Sequence, residues 1–320
     1  MIRTNTVFIL GAGASKPYGY PTAAELRTNI CNDFPGMIKN LSFAPAPVSA
    51  SIRKARMIHE AELLADKFKK SSTPSIDLFL ARNPEYSDIG RSAIVTCILK
   101  KEKASHFRED MDDKYISQDW YSYIFHKMTE ELIEPGSFEQ FKENRVTFIT
   151  FNYDRSLEFF LHQSLSNSFG RAPGKEIVAQ LNEIPILHVY GSVDRLPWQG
   201  DGSDYSANYS SLEVERMSKN INIVYEGSAN DLRIRSAIEK SEQIFFLGFG
   251  YATENLKVLG IQKRLSRVQR IHGTALGSTG KERTVIEDRL RAWFAEPPQT
   301  LLYHVIIKGC NCLQLLREHL

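Results

Sequence analysis

The feature that most constrains the fold is a short apolar run that ends in a glycine-rich turn near the N-terminus. Residues Val7–Leu10 are all apolar, and Gly11-Ala12-Gly13-Ala14-Ser15 follows them directly. Such a run is typical of a buried strand, and the glycines let the backbone turn sharply and approach a ligand. A helix after such a turn points backbone N–H groups at an anion, which suits a phosphate. Many α/β folds turn this way without a nucleotide, so the turn alone leaves both interpretations open.

Strand signals alternate with helical signals in the second half of the chain. Runs that predict strands lie at Val146–Thr150, Ile184–Gly191, Ile221–Tyr225, Gln243–Leu247, Arg270–Leu276 and Leu301–Ile307. Helical patterns separate most of them. The alternation predicts an α/β fold with a doubly wound, Rossmann-like parallel sheet, whose ligands bind at the carboxyl ends of the strands.

The stretch from about Ser51 to Pro135 is helical in pattern and carries no strand signal. Apolar residues recur there at three-residue steps on one face of the first helix: Ile52, Ala55, Ile58, Ala61 and Leu64. We predict an inserted all-helical module over residues 37–135, and a Rossmann-type domain made of residues 1–36 and 136–320. Asp77, within the module, is interpreted as a helix-start residue or an interface contact.

Composition and charge narrow the class of protein. The 320 residues are 42% hydrophobic and 24% charged, with a formal net charge of +2. This balance indicates neither a nucleic-acid-binding nor a membrane-binding protein. No segment resembles a signal peptide and no apolar run approaches ~18 residues, so we expect a soluble, cytoplasmic protein. The cysteines lack C-x-x-C spacing, which favours free thiols and no metal site.

Four predicted strand ends carry small or polar residues that could contact one ligand. They are Gly11–Ser15, Phe151-Asn152-Tyr153-Asp154, His188-Val189-Tyr190-Gly191-Ser192 and Gly248-Phe249-Gly250-Tyr251. Each also has a structural interpretation, since Asn152 and Asp154 could cap a helix and His188 could be a hydrogen-bonded core histidine. Their joint presence at the carboxyl ends of strands in one sheet favours a ligand site.

In this order the four motifs, with Gly19-Tyr20-Pro21 after the first, resemble the sirtuin-like NAD-binding fold. The similarity covers residues 1–35 and 140–310, and within the helical module it covers only the S-I-D-x-F-L stretch at Ser75–Leu80. The nearer resemblance is to the prokaryotic branch that acts in antiviral defence, whose similar members hydrolyse NAD.

The resemblance implies NAD as the substrate and assigns roles to particular residues. The glycine turn would hold the pyrophosphate and the nearby ribose, Asn152 and Asp154 would lie by the nicotinamide ribose and the carboxamide, and Gly248, Gly250 and Tyr251 would line the ribose and adenine side. The whole implied binding set is Gly11, Ala12, Gly13, Ala14, Ser15, Pro21, Asn152, Asp154, Gly191, Gly248, Gly250 and Tyr251.

The chain departs from sirtuin deacylases at three places. It has no zinc ribbon with paired C-x-x-C motifs, and Thr22-Ala23-Ala24 replaces the Asp-Phe-Arg that follows the proline. Both departures favour hydrolysis of NAD itself. Tyr190 stands where the family usually places histidine, directly before Gly191. Because strand residues two apart share a face, we predict that His188 and Tyr190 both face the site, with His188 as the base and Tyr190 in support.

The expected function is that of an NAD⁺ glycohydrolase that releases nicotinamide and ADP-ribose without a metal, as an antiphage effector that depletes NAD when activated. Asn152 would align the water, Asp154 would bind the carboxamide N–H, and His188 would take a proton. The resemblance also implies a homo-oligomer and a companion ATPase or other defence protein on a separate chain, with no direct contact to nucleic acid or membrane. The alternatives are a catalytically silent module that senses NAD or ADP-ribose and, third, a protein deacylase.

Overall fold

The computed structural model describes residues 1–43, 48–103, 107, 113–169, 174–206, 208–223, 232–260, 270–294 and 304–320. Six strands lie within these ranges: β1 (Thr6–Leu10), β2 (Val146–Thr150), β3 (Ile186–His188), β4 (Gln243–Leu247), β5 (Arg270–Thr274) and β6 (His304–Lys308). They form one sheet in the order β3-β2-β1-β4-β5-β6, and every neighbouring pair is parallel. This sheet, flanked by helices, confirms the predicted α/β, Rossmann-like fold.

Helices occupy much of the remaining described chain. In chain order they are α1 (Ala12–Ser15), α2 (Ala23–Asn32), α3 (Phe34–Asn40), α4 (Val48–Lys70), α5 (Ile76–Arg82), α6 (Ser87–Leu99), α7 (Asp113–Ile116), α8 (Trp120–Thr129), α9 (Ser156–Ser168), α10 (Gly174–Asn182), α11 (Ser211–Ser218), α12 (Leu232–Lys240), α13 (Thr253–Val258), α14 (Gly280–Phe294) and α15 (Cys312–His319). Short 3₁₀ segments lie at Lys16–Tyr18, Pro84–Tyr86, Pro135–Glu143 and Pro197–Gln199. Within the described ranges, no helix has the length and apolar character needed to cross a membrane.

The first strand lies at the centre of the sheet. β1 pairs with β2 on one side and with β4 on the other, and all five of its residues are buried. The Phe8 ring stacks on Phe148 and Phe245 of the two neighbours, with centroid distances of 5.2 and 5.4 Å. Strand order reverses between β1 and β4, and a doubly wound sheet offers its ligand crevice at that reversal.

Two strand predictions are corrected by the structure. β3 ends at His188 rather than at Gly191, and Gly191 itself adopts a φ of +75° that a strand does not allow. Ile221–Ile223 lie outside any strand, and residues 224–225 of that prediction lie outside the described residues. The Asn222 amide donates to the Tyr190 carbonyl oxygen at 2.9 Å, a backbone bond that is not part of a strand ladder.

The helical segment between α2 and β2 packs directly against the turn after β1. The buried Trp120 donates from Nε1 to the Ala14 carbonyl oxygen at 2.8 Å. On α4, Ala61 and Leu64 are buried as predicted, whereas Ile52 is 64% exposed, so only part of the predicted apolar face is covered. Buried residues of this segment belong to the same hydrophobic cluster as those of the sheet. The proposed boundaries at residues 37 and 135 stay a prediction.

A buried ion pair joins the helical segment to the chain that follows β2. Arg155 donates from Nε and Nη2 to the two carboxylate oxygens of Glu102, both at 2.8 Å, and both side chains are almost completely buried. The same guanidinium donates to the carbonyl oxygens of Arg195, Ser203 and Asp204. One side chain therefore fixes the irregular segment after β3 against the helices.

The turns that follow β1 and β4 interlock through their backbones. The Gly13 amide donates to the Gly248 carbonyl oxygen at 3.0 Å, and the Gly11 amide donates to the Leu247 carbonyl oxygen at 3.0 Å. Gly248 has a φ of +57°, and a Cβ added there would lie 2.0 Å from the Ala14 nitrogen. Close approach of two backbones, as well as ligand access, therefore requires glycine at these positions.

We expect Gly248→Ala to lower the free energy of unfolding by more than about 2 kcal/mol, because the added methyl group meets backbone atoms and the φ is unfavourable for alanine. Gly250→Ala is the matched control, since a Cβ at Gly250 would have no atom within 4 Å. Urea denaturation of the two variants measures the difference. Equal stability of the two would contradict the interlocked-turn interpretation.

Candidate ligand site at the carboxyl ends of the strands

A cavity of about 690 Å³ lies at the switch point, across the carboxyl ends of the strands. Its walls include residues that follow each of the six strands, together with the start of α2 and the start of α5. The volume lies in the range of small-molecule and cofactor sites, about 300–1,000 Å³. The fold therefore places a ligand-sized cavity where a doubly wound sheet is expected to have one.

Most of the residues predicted from the sequence line this cavity, and four do not. The lining includes Gly11, Ala12, Gly13, Ser15, Pro21, Asn152, Asp154, Tyr190, Gly248 and Gly250. The four outside the lining are Ala14, His188, Gly191 and Tyr251. The structure thus brings the predicted turns together at the cavity, but a few of their residues lie outside its lining.

Three of these four residues have structural roles. Ala14 is completely buried. Gly191 allows a close approach, because a Cβ there would lie 1.9 Å from the Asn220 carbonyl oxygen. Tyr251 is buried and donates from its hydroxyl to the Thr274 carbonyl oxygen at 3.2 Å, and a Cβ on Gly273 would lie 2.1 Å from that hydroxyl oxygen. These roles account for the three residues without a ligand, and their implied contacts with one stay predictions.

Asn152 lines the cavity and has an unused hydrogen-bond acceptor. Its Nδ2 donates to the Gly11 carbonyl oxygen at 3.0 Å and to Ser15 Oγ at 2.9 Å. A carbonyl oxygen only accepts, so these bonds fix which end of the amide carries the nitrogen. The side chain is buried, and Oδ1 has no hydrogen-bond partner. An unpartnered buried acceptor costs about 1–3 kcal/mol, and a ligand or water that donates to it would recover that energy.

Asp154 is a buried carboxyl group held by serines. Its Oδ1 accepts from the Ser156 amide at 3.2 Å and also from the Ser156 hydroxyl. Burial raises the pKa of Asp154, while hydrogen bonds from Ser156 and Ser15 act in the opposite direction. Ser15 Oγ accepts from Asn152 Nδ2 at 2.9 Å, and this bond joins the turns after β1 and β2.

Asp77 lines the cavity although the sequence assigned it no part in the site. It lies in the first turn of α5, where Ser75 is the N-cap and accepts from the Leu78 amide at 3.3 Å. The Asp77 carboxylate accepts a hydrogen bond from the Tyr153 hydroxyl. Burial raises the pKa of Asp77, and the bond from Tyr153 opposes that rise. The S-I-D-x-F-L stretch was the one signal in the helical segment that could have indicated this residue.

The C-N-C sequence after β6 also lines the cavity, which cysteine spacing did not predict. Cys310, Asn311 and Cys312 form this part of the wall, beside Thr274 and Leu276. Burial raises the pKa of Cys312 to about 12, so this thiol stays protonated near neutral pH. In the described part of the chain, no group of three or more His, Cys, Asp or Glu side chains is arranged to hold a metal ion.

His188 does not face the cavity, and its geometry does not suit the predicted role of general base. Its Nδ1 lies 3.0 Å from the Asn152 carbonyl oxygen, and its Nε2 lies 2.6 Å from Glu158 Oε1. Both partners are acceptors, so this geometry suits a ring that is protonated on both nitrogens. Burial lowers the pKa of His188, but the Glu158 carboxylate, the Asn152 carbonyl group and Asp154 together raise it above the ordinary value.

The prediction that His188 and Tyr190 share a face is also wrong, for a simple reason. β3 ends at His188, so strand alternation does not continue to Tyr190. Of these two residues, Tyr190 lines the cavity and His188 does not. The Tyr190 hydroxyl donates to Asn255 Oδ1 at 2.9 Å. The Tyr190 ring also packs edge-to-face on Phe151, which in turn packs on Phe249, and all three line the same wall.

Comparison of the chain with protein-family models and with curated proteins finds no match. The chemistry of the site is therefore argued from its own side chains. Three carboxylates line the cavity, those of Asp77, Asp154 and Glu254, and a cation, Lys16, stands beside the glycine turn in an ion pair with Glu25. This arrangement suits a ligand with an anionic centre near the glycines and a cationic centre near the carboxylates.

The His188–Glu158 pair gives a stability prediction that depends on pH. The pKa of His188 is raised in the folded state, so the stabilisation is complete below the unfolded value of 6.5 and is lost as pH rises through the folded pKa. Wild type should therefore lose more unfolding free energy between about pH 6 and about pH 9 than His188→Gln, which has no titrating ring.

Urea denaturation at the two pH values checks this prediction. His59→Gln, which changes an exposed histidine on α4, is the control and should keep the wild-type pH dependence. If His188→Gln and wild type lose the same stability over this range, the charged pair is not present in solution.

Proposed function

We propose that this protein is an NAD⁺ glycohydrolase, which cleaves the bond between nicotinamide and ribose with water to give nicotinamide and ADP-ribose. The observation that carries the proposal is the unpartnered, buried Oδ1 of Asn152, a residue that lines the switch-point cavity. It is an acceptor held in place by two other bonds, beside the glycine turn. A ribose hydroxyl or a water molecule would complete its hydrogen bonding.

The shape of the cavity supports a dinucleotide. The turns after β1 and β4 let a pyrophosphate approach the backbone, and Lys16 supplies positive charge beside them. From there the cavity extends in two directions, toward Asn152 on the β2 side and toward Thr274 and Asn311 on the β5 and β6 side. In the proposed mode of binding, nicotinamide riboside occupies the first arm and adenosine the second.

The side chains on the β2 side suit the chemistry of glycosidic cleavage. Positive charge grows on the ribose as the bond to nicotinamide breaks, and the carboxylates of Asp154 and Asp77 stabilise it. The nicotinamide ring of NAD⁺ carries a positive charge before the reaction, so it leaves without a strong general acid. Asn152 Oδ1 orients the water or a ribose hydroxyl.

The order of the sequence motifs supports the same conclusion. It resembles that of the sirtuin-like NAD-binding fold, and the absence of a zinc ribbon from the sequence favours hydrolysis over protein deacylation. We extend the proposal to an effector of antiviral defence that depletes NAD when it is activated, as a homo-oligomer with a companion ATPase or other defence protein on a separate chain. Exposed apolar side chains on α4, Ile52 and Leu63, are candidate contacts for such an assembly.

A second candidate function is a catalytically silent sensor of NAD or ADP-ribose. The observation that favours it is the orientation of His188, which points away from the cavity while Tyr190 occupies the lining. A site without a histidine base can still bind the nucleotide. Turnover therefore distinguishes the two functions.

Purified wild type should release nicotinamide from NAD⁺, and Asn152→Ala should reduce the rate at least about 10²-fold, because the water or hydroxyl loses its fixed acceptor. Asn167→Ala, an exposed substitution on α9, is the control and should keep the wild-type rate. Nicotinamide is measured by liquid chromatography and NAD⁺ binding by calorimetry, after thermal unfolding shows that each variant is folded. Binding without nicotinamide release, both by the protein alone and together with an assembly partner, would establish the sensor, and absence of both binding and release would refute the NAD site.

A further inference from the structure

The proposed hydrolysis needs a group that accepts a proton from the attacking water. His188 does not meet this need, because both of its ring nitrogens are hydrogen-bonded to other groups of the protein and it lies outside the cavity lining. The remaining candidates are the carboxylates that line the cavity, Asp77, Asp154 and Glu254. Asp77 and Asp154 differ in the hydrogen bonds that their carboxylates accept.

The Asp154 carboxylate has a structural role at the start of α9. It accepts from the amide and the hydroxyl of Ser156 at the start of α9. Both bonds go to Oδ1 and hold the carboxylate against the first residue of that helix. Its hydrogen bonds suit an electrostatic and structural role better than proton transfer.

Asp77 accepts a hydrogen bond from the side chain of Tyr153, which lies in the turn after β2. Tyr153 lies between Asn152 and Asp154 in the sequence, is buried, and donates its hydroxyl proton to Asp77 Oδ1. The bond joins α5 to the turn after β2 across the cavity wall. A base that is oriented by a hydrogen bond from a third group is the arrangement found in many catalytic sites.

We propose that the Asp77 carboxylate is the catalytic base that deprotonates the attacking water, with Tyr153 as its positioning residue. This inference rests on the proposed function. The water oxygen bonds to C1′ of the ribose while the C1′–N bond breaks. The electron pair of the C1′–N bond passes to the nicotinamide ring, which leaves as a neutral molecule. The water proton passes to Asp77 and then to solvent, so atoms and charge balance.

Two further observations agree with this role. Burial raises the pKa of the Asp77 carboxyl group, which makes it a stronger base than an exposed aspartate. Asp77 is also fixed by its own helix, since Ser75 caps α5 and Ile76, Phe79 and Leu80 are buried. The base would then come from the helical segment, whereas the glycine turns that face the pyrophosphate come from the sheet.

Steady-state nicotinamide release and NAD⁺ calorimetry on the full-length protein test the proposal. We expect Asp77→Asn, which keeps an oxygen for the Tyr153 hydroxyl, to lower kcat at least about 10²-fold while the Kd for NAD⁺ changes less than about 3-fold. The acidic limb of the kcat–pH profile should disappear in this variant. Asp88→Asn, an exposed substitution in the first turn of α6, should leave kcat and the profile unchanged.

Tyr153→Phe provides a readout that a merely structural residue would not give. The hydrogen bond from Tyr153 lowers the pKa of Asp77, so its removal should move the acidic limb of the kcat–pH profile to higher pH. Glu254→Gln tests the remaining carboxylate and should retain the acidic limb. Thermal unfolding of each variant establishes that it is folded.

The possible results separate this inference from the proposed function. If wild type releases nicotinamide and Asp77→Asn does so at the same kcat, Asp77 is not the base, although the glycohydrolase function stands. The inference also fails if Glu254→Gln, and not Asp77→Asn, loses the acidic limb, or if Asp77→Asn changes only the Kd. Wild type that neither binds nor cleaves NAD⁺ refutes the function itself.

Discussion

The cavity depends first on the contact between the turns that follow β1 and β4. Gly13 and Gly248 bring two backbones into direct hydrogen bonding at the point where the strand order reverses. Side chains cannot occupy the space between these turns, so the cavity above them is floored by backbone rather than by packed methyl groups. The glycines serve the architecture of the sheet and the approach of a ligand at the same time.

The second constraint is the attachment of the helical segment to the sheet. Trp120 supports the turn after β1 through the Ala14 carbonyl oxygen, and Glu102 binds Arg155, the residue directly after Asp154. Removing one partner of a buried ion pair typically costs about 3–5 kcal/mol, because the other charge stays buried without compensation. The helices are therefore joined to the ligand site at several points, and Asp77 is one more of these.

The fold was largely predictable because strand periodicity and strand ends are local signals. The sequence predicted β2 and β4 with their observed bounds and β1 to within one residue, and parallel pairing then brought the polar strand ends to one edge of the sheet. The orientation of single side chains was less predictable. Alternation indicates a face only while a strand continues, and β3 stops at His188, so the shared face predicted for His188 and Tyr190 does not exist.

The residues that sequence reasoning missed depend on contacts between distant parts of the chain. Tyr153 and Asp77 are 76 positions apart and meet only after the helical segment has packed on the sheet. Asn152 was predicted, yet its unpartnered Oδ1 follows from the bonds that its Nδ2 makes to Gly11 and Ser15. A motif can therefore predict which residues gather at a site. The role of each residue depends on which of its hydrogen-bond donors and acceptors already have partners within the protein. Only the donors and acceptors without such a partner are open to a ligand.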